Sequence, residues 1–93
     1  MIIGVIHITL HAQWVHSLKE KRMIVKSLCA KIRNKFNVSV TECREQDVHQ
    51  TIVICIAYVT DNSALSDSIA QNIIDFTEQT TDAVIVAIET ETR

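Results

Sequence analysis

Strand-like and helical hydrophobic periods follow one another in the order strand, helix, strand, strand, helix, strand, and no other feature of this 93-residue chain constrains its fold as much. Ile2 to His11 alternates, with Ile6, Ile8 and Leu10 on one side and His7, Thr9 and His11 on the other, the pattern of a half-buried strand. Gly4 falls on the apolar side, where a missing side chain either leaves room for a crossing helix or simply forgoes packing. Ser17 and Glu20 have the spacing of a capping box, and Leu18, Val25, Leu28, Cys29, Ile32 and Phe36 then share one sector at about 100° per residue. That predicts an amphipathic helix ending near Phe36 and Asn37. Val38 to Arg44 reads as an edge strand, Glu45, Gln46 and Asp47 as a polar turn, and His49 to Val59, apolar on both faces, as a central strand. Asn62 or Ser63 caps a second helix carrying Leu65, Ile69, Ile73 and Phe76, and Val84 to Ile88 is the last strand.

Two split β-α-β units in this order close into an α+β, ferredoxin-like sandwich of one domain, residues 1–93, with both helices on one face of a four-stranded antiparallel sheet. The other face then presents Ile3, Val5, Val53, Cys55, Val59 and Ile85, a set too apolar for water. A chain of this size buries only about 60 to 65% of its unfolded surface. A homodimer packed sheet to sheet is the expected remedy, and this face is its expected interface.

One glycine and no proline exclude the glycine-rich phosphate loops of dinucleotide and P-loop enzymes. Three cysteines make no disulfide framework, and no leader precedes the first strand, so a reduced, cytoplasmic protein is expected. No apolar run approaches the roughly 18 residues of a membrane span, and no membrane partner is expected. His7 and His11, four residues apart on a strand, stand about 13 Å from each other, too far to share a metal ion. If Arg44 faces His49 or Gln50 across the turn, Cys43 lies about 13 Å from Cys55 as well. Neither a metal pair nor a disulfide is expected, and no cofactor. No acid, base and nucleophile fall at catalytic spacing, which points away from an enzyme.

Charge is unevenly spread. Residues 1–46 hold eight basic and three acidic side chains, and residues 47–93 hold one and eight. The excess sits on the first helix, where Lys19, Lys21, Arg22, Lys26, Lys31, Arg33 and Lys35 face the single Glu20. Lys19, Arg22, Lys26 and Arg33 lie within about 60° on the helical wheel, a row of cations suited to a phosphate backbone. The alternative is a solvated helix balanced by Asp67, Asp75 and Glu78 of the second helix. Lys19, Lys21 and Arg22 crowd the first turns, where the helix dipole disfavours cations. Ser17, Lys19, Lys21 and Arg22, supported by His16, Lys26 and Arg33, are therefore the expected anion or nucleic-acid site. The central strands offer no exposed aromatic residue, Tyr58 being in the helix-facing phase, so a base-stacking sheet platform is not expected.

The segments His16-Ser17-Leu18-Lys19-Glu20-Lys21-Arg22 and Arg33-Asn34-Lys35-Phe36-Asn37-Val38-Ser39-Val40, followed by Gln46-Asp47, resemble the YlxP-like family of small bacterial proteins, from the first strand to about residue 60 and more loosely beyond. The resemblance implies a ferredoxin-like fold and no known enzyme activity. Members are typically encoded beside transcription-elongation and translation-initiation factors, which implies a link to ribosome assembly or translation. Where members often carry a Pro-Gly-like turn before the first motif and a tryptophan after Gln-Asp-Leu, this chain has Gln13-Trp14-Val15 and Val48-His49, so Trp14 is the aromatic residue beside the basic motif. Two expectations follow: a protein that binds ribosomal RNA or the 30S subunit through its basic helix, or a homodimeric module that binds a protein or small ligand through its sheet.

Overall fold

The computed structural model describes residues 1–93. Strand β1 (Ile2–His11) leads to helix α1 (Leu18–Lys35), strands β2 (Ser39–Arg44) and β3 (Thr51–Thr60), helix α2 (Ser63–Thr80) and strand β4 (Val84–Thr92). The sheet order is β2-β3-β1-β4, antiparallel throughout, with Ile6 opposite Ile56 in β3 and Ile8 opposite Ile88 in β4. This is the ferredoxin-like sandwich that the order of periods predicts.

Both helices start where short polar side chains take up free backbone donors: the Glu20 amide donates to Ser17 Oγ at 3.1 Å and the Leu65 amide to Asn62 Oδ1 at 3.1 Å. Ile6, Ile8, Leu10, Ile52, Ile54 and Ile56 bury the inner face of the sheet against Val25, Leu28 and Ile32 of α1 and Ile73 of α2. Phe36 meets Phe76 edge to face, with ring centroids 5.6 Å apart, and ties the end of α1 to α2.

Three local expectations are revised. Leu65 is half exposed, and its neighbour Ser66 is buried instead, because Tyr58 Oη donates to the Ser66 carbonyl at 3.0 Å and lies 3.0 Å from its hydroxyl. The space beside Gly4 is filled by the Tyr58 ring from the paired position on β3, not by a helix, and a β-carbon there would collide with that ring. Strand β4 runs on to Thr92, four residues beyond the predicted end, with a bulge at its start.

Candidate functional site

The outer flank of α1 carries the expected row. Lys19, Arg22, Lys26 and Arg33 are all exposed, as are Lys31 and Lys35 on the opposite flank, and none of the six lies within 4.0 Å of a carboxylate. No acidic side chain of α2 forms an ion pair with them, although Lys35 and Asp75 line one groove between the helices. Arg33 Nη2 donates to the Val40 carbonyl at 3.1 Å, which fixes one end of the row against β2. Between α1 and β2 runs a polar groove of about 450 Å³, flanked by Arg22, Arg33, Glu42, Gln46 and Asp47. Glu42 there is paired with Lys21, so Arg22 and Arg33 outnumber the remaining carboxylate, Asp47, and the groove continues the cationic rim of the helix.

Lys21 corrects the expected site. Its side chain is fully buried, and its ammonium donates to the carbonyls of Glu45 at 2.6 Å and Val48 at 2.7 Å while Glu42 Oε2 lies 2.8 Å away. A cation so enclosed cannot meet a ligand. Lys21 holds the β2–β3 turn, in which Glu45 takes a left-handed backbone, φ 55°. The signal was present in the sequence, since residue 21 is three after Leu18 and four before Val25, on the apolar stripe. Ser17 is likewise occupied by capping, and the Glu20 carboxylate lies 3.5 Å from the His16 amide. The helix start is therefore already supplied with acceptors, and the cationic surface is the exposed row that begins at Lys19.

Trp14 is 43% exposed and lines a second groove of about 350 Å³ with Met23, Lys31 and Asp82. Tyr58 is buried on the inner face, so the outer sheet face has no phenylalanine, tyrosine or tryptophan.

On that outer face Ile3 pairs with Val59 and Val5 with Ala57, an apolar patch whose most open member is Val59, 64% exposed. Two residues of the expected interface are corrected. Ile85 pairs with Leu10 and packs on the core, because Val86 is the extra residue of the β4 bulge and reverses the alternation before it. Val53 is already buried within the single chain, with both Cys43 and Arg44 lying opposite it in a bulge of β2.

The length of the β2–β3 turn also overturns the expected separation of the cysteines. Arg44 pairs with Val53 rather than with His49 or Gln50, since the turn takes up residues 45–50. Cys43 therefore comes beside Cys55, and His7 lies directly opposite Cys55 on β1. The Cys43 and Cys55 sulfurs and a His7 ring nitrogen all lie within 4.8 Å of one another. Burial, then the neighbouring Cys55, hold the Cys43 thiol above its usual pKa; Cys29, remote in the core of α1, is raised chiefly by burial.

A family model described as protein of unknown function, DUF503, matches residues 3–90. The chain belongs to the DUF503 family. Within 60 residues it is 37% identical to the uncharacterized protein YlxP of Bacillus subtilis (strain 168), a match covering 64% of this chain and 65% of that protein, just under two thirds of its length. Membership of the YlxP-like group, anticipated from the motifs at 16–22 and 33–40, is thereby established. Among solved structures this DUF503 chain is similar to a de novo designed protein with a ferredoxin fold, at a TM-score of 0.63 and 16% identity over 100% of this chain and 86% of the other. A second designed protein, Foldit4, matches at a TM-score of 0.51 and 13% identity over 99% and 94%. These two likenesses concern the fold alone. No helix is long and apolar enough to cross a membrane.

Proposed function

We propose that this protein is a non-catalytic, cytoplasmic RNA-binding domain that docks on ribosomal RNA, as in the 30S subunit, through the exposed row Lys19, Arg22, Lys26 and Arg33. The observation that carries this reading is the six exposed cations of α1 with no acidic partner, in a chain whose formal net charge is −2. Counterions held by an RNA backbone are released when such a row replaces them, so binding weakens linearly in log salt. Arg22 and Arg33 can each grip a phosphate with two hydrogen bonds, which a lysine cannot. The test is binding of the Lys19→Glu/Arg22→Glu/Lys26→Glu variant to ribosomal RNA and 30S particles across a salt series. Affinity at physiological salt should fall by roughly tenfold or more, and the salt slope should flatten by about one unit or less for each phosphate that is no longer neutralised. Unchanged affinity and slope in the folded variant would reject the reading.

A second reading concerns the other face. The patch of Ile3, Val5, Ala57 and Val59 has no covering element in the chain and supports a homodimer packed through the sheet.

A further inference from the structure

We propose that His7, Cys43 and Cys55 form a binding site for a thiophilic divalent cation, zinc by preference, on the sheet face away from the helices. The site is independent of the RNA reading, which rests on the opposite side of the molecule.

The donor atoms are already close to coordination spacing. Zinc bonds of about 2.3 Å to sulfur and 2.0 to 2.1 Å to nitrogen imply tetrahedral edges of about 3.5 to 3.8 Å between donor atoms. Cys55 Sγ and His7 Nε2 are 3.5 Å apart, and Cys43 Sγ lies within 4.8 Å of both. Closing the set therefore requires at most about 1.3 Å of movement by Cys43, within reach of a side-chain adjustment. Its sulfur now donates weakly to the Val53 carbonyl at 3.6 Å, an interaction readily exchanged for a metal bond.

Three strands deliver the ligands. His7 and Cys55 come from the two central strands at a paired position, and Cys43 lies beside them on β2, where the bulge begins. Such a platform fixes its donors better than a loop does. All three residues are half-buried, open enough for an ion to enter. Arg44 Nη1 and Glu89 Oε1 meet at 3.8 Å although their strands are the two edges of the sheet, about 14 Å apart at three strand spacings. Their side chains consequently reach toward each other across the face that holds His7 and Cys55.

The donor chemistry selects the ion. Two thiolates and an imidazole are soft to borderline ligands that favour zinc over magnesium or calcium. Two thiolates also balance a divalent charge, so the filled site is neutral, which suits a half-buried position. Binding transfers the two thiol protons to solvent and leaves a fourth position for water.

The experiment uses the full chain, reduced and stripped of metal, titrated with cobalt and then zinc. One cobalt per chain should bind with sulfur-to-cobalt charge-transfer absorption and tetrahedral d–d bands, and zinc should displace it. Cys43→Ser, Cys55→Ser and His7→Gln should each weaken zinc by at least the ten- to hundredfold typical of losing an outer-shell partner, while Cys29→Ala leaves it unchanged. Alkylation of the wild-type chain needs no variant: zinc should protect Cys43 and Cys55 and leave the rate at Cys29 unaltered. Cobalt spectra without a sulfur band, equal alkylation with and without zinc, or a Cys43–Cys55 disulfide in protein isolated under reducing conditions would each overturn the proposal.

Discussion

Replacing Lys21 by methionine keeps most of the side-chain volume but leaves Glu42 and the carbonyls of Glu45 and Val48 without their cation. Removing one partner of a buried ion pair costs about 3 to 5 kcal/mol, so the urea midpoint of Lys21→Met should fall steeply. Lys21→Met/Glu42→Leu should recover part of that loss, because no buried charge is then stranded; a double variant no more stable than the single one would contradict the assignment. At Gly4, alanine drives its β-carbon into the Tyr58 ring and is expected to cost about 1 to 3 kcal/mol by overpacking. Lys21 shows where sequence reading stops at this scale. Its place on the apolar stripe was legible, but the carbonyls that accept its protons belong to a turn 24 and 27 residues away, and nothing local foretells them.

The elements themselves were more legible, because a hydrophobic period is a local property and both caps lie within three residues of the donors they satisfy. What failed was register, which depends on turn length and on bulges. A turn of six residues where three were expected moved Cys43 next to Cys55, one extra residue in β4 turned Ile85 inward, and that bulge has no glycine to announce it. The turn between β2 and β3 offers a test at this scale. Glu45→Gly relieves a left-handed backbone at a non-glycine residue and should raise stability by up to about 1 kcal/mol in thermal unfolding. In α1, burial raises the Cys29 pKa above its ordinary 9.0, so the folded state holds this proton more tightly than the unfolded one. The stability it contributes is complete below pH 9.0 and is lost as pH climbs through the folded pKa. Chemical denaturation of the metal-free protein at successive pH values should show that decline, and Cys29→Ala should lessen it.

For the molecule as a whole, the proposed sheet-to-sheet dimer predicts twice the chain mass in sedimentation at micromolar concentration. Val59→Asp sets a charge at the most open point of the patch and should yield a folded monomer; an unaltered sedimentation profile for wild type and variant would exclude this interface. The sheet order has a consequence for how such a chain comes to be folded. Strand β1, made first, lies between β3 and β4, and its partner residues are about 40 to 90 positions later in the chain. While the chain is being made, β1 can pair with β3 and receive both helices, yet its other edge stays open until the last strand arrives. During that interval a row of unpaired amides and carbonyls flanked by Ile6, Ile8 and Leu10 is available to any neighbouring strand. Slow translation or truncation before residue 84 should therefore favour aggregation, and the arrival of β4 is the step that closes that edge.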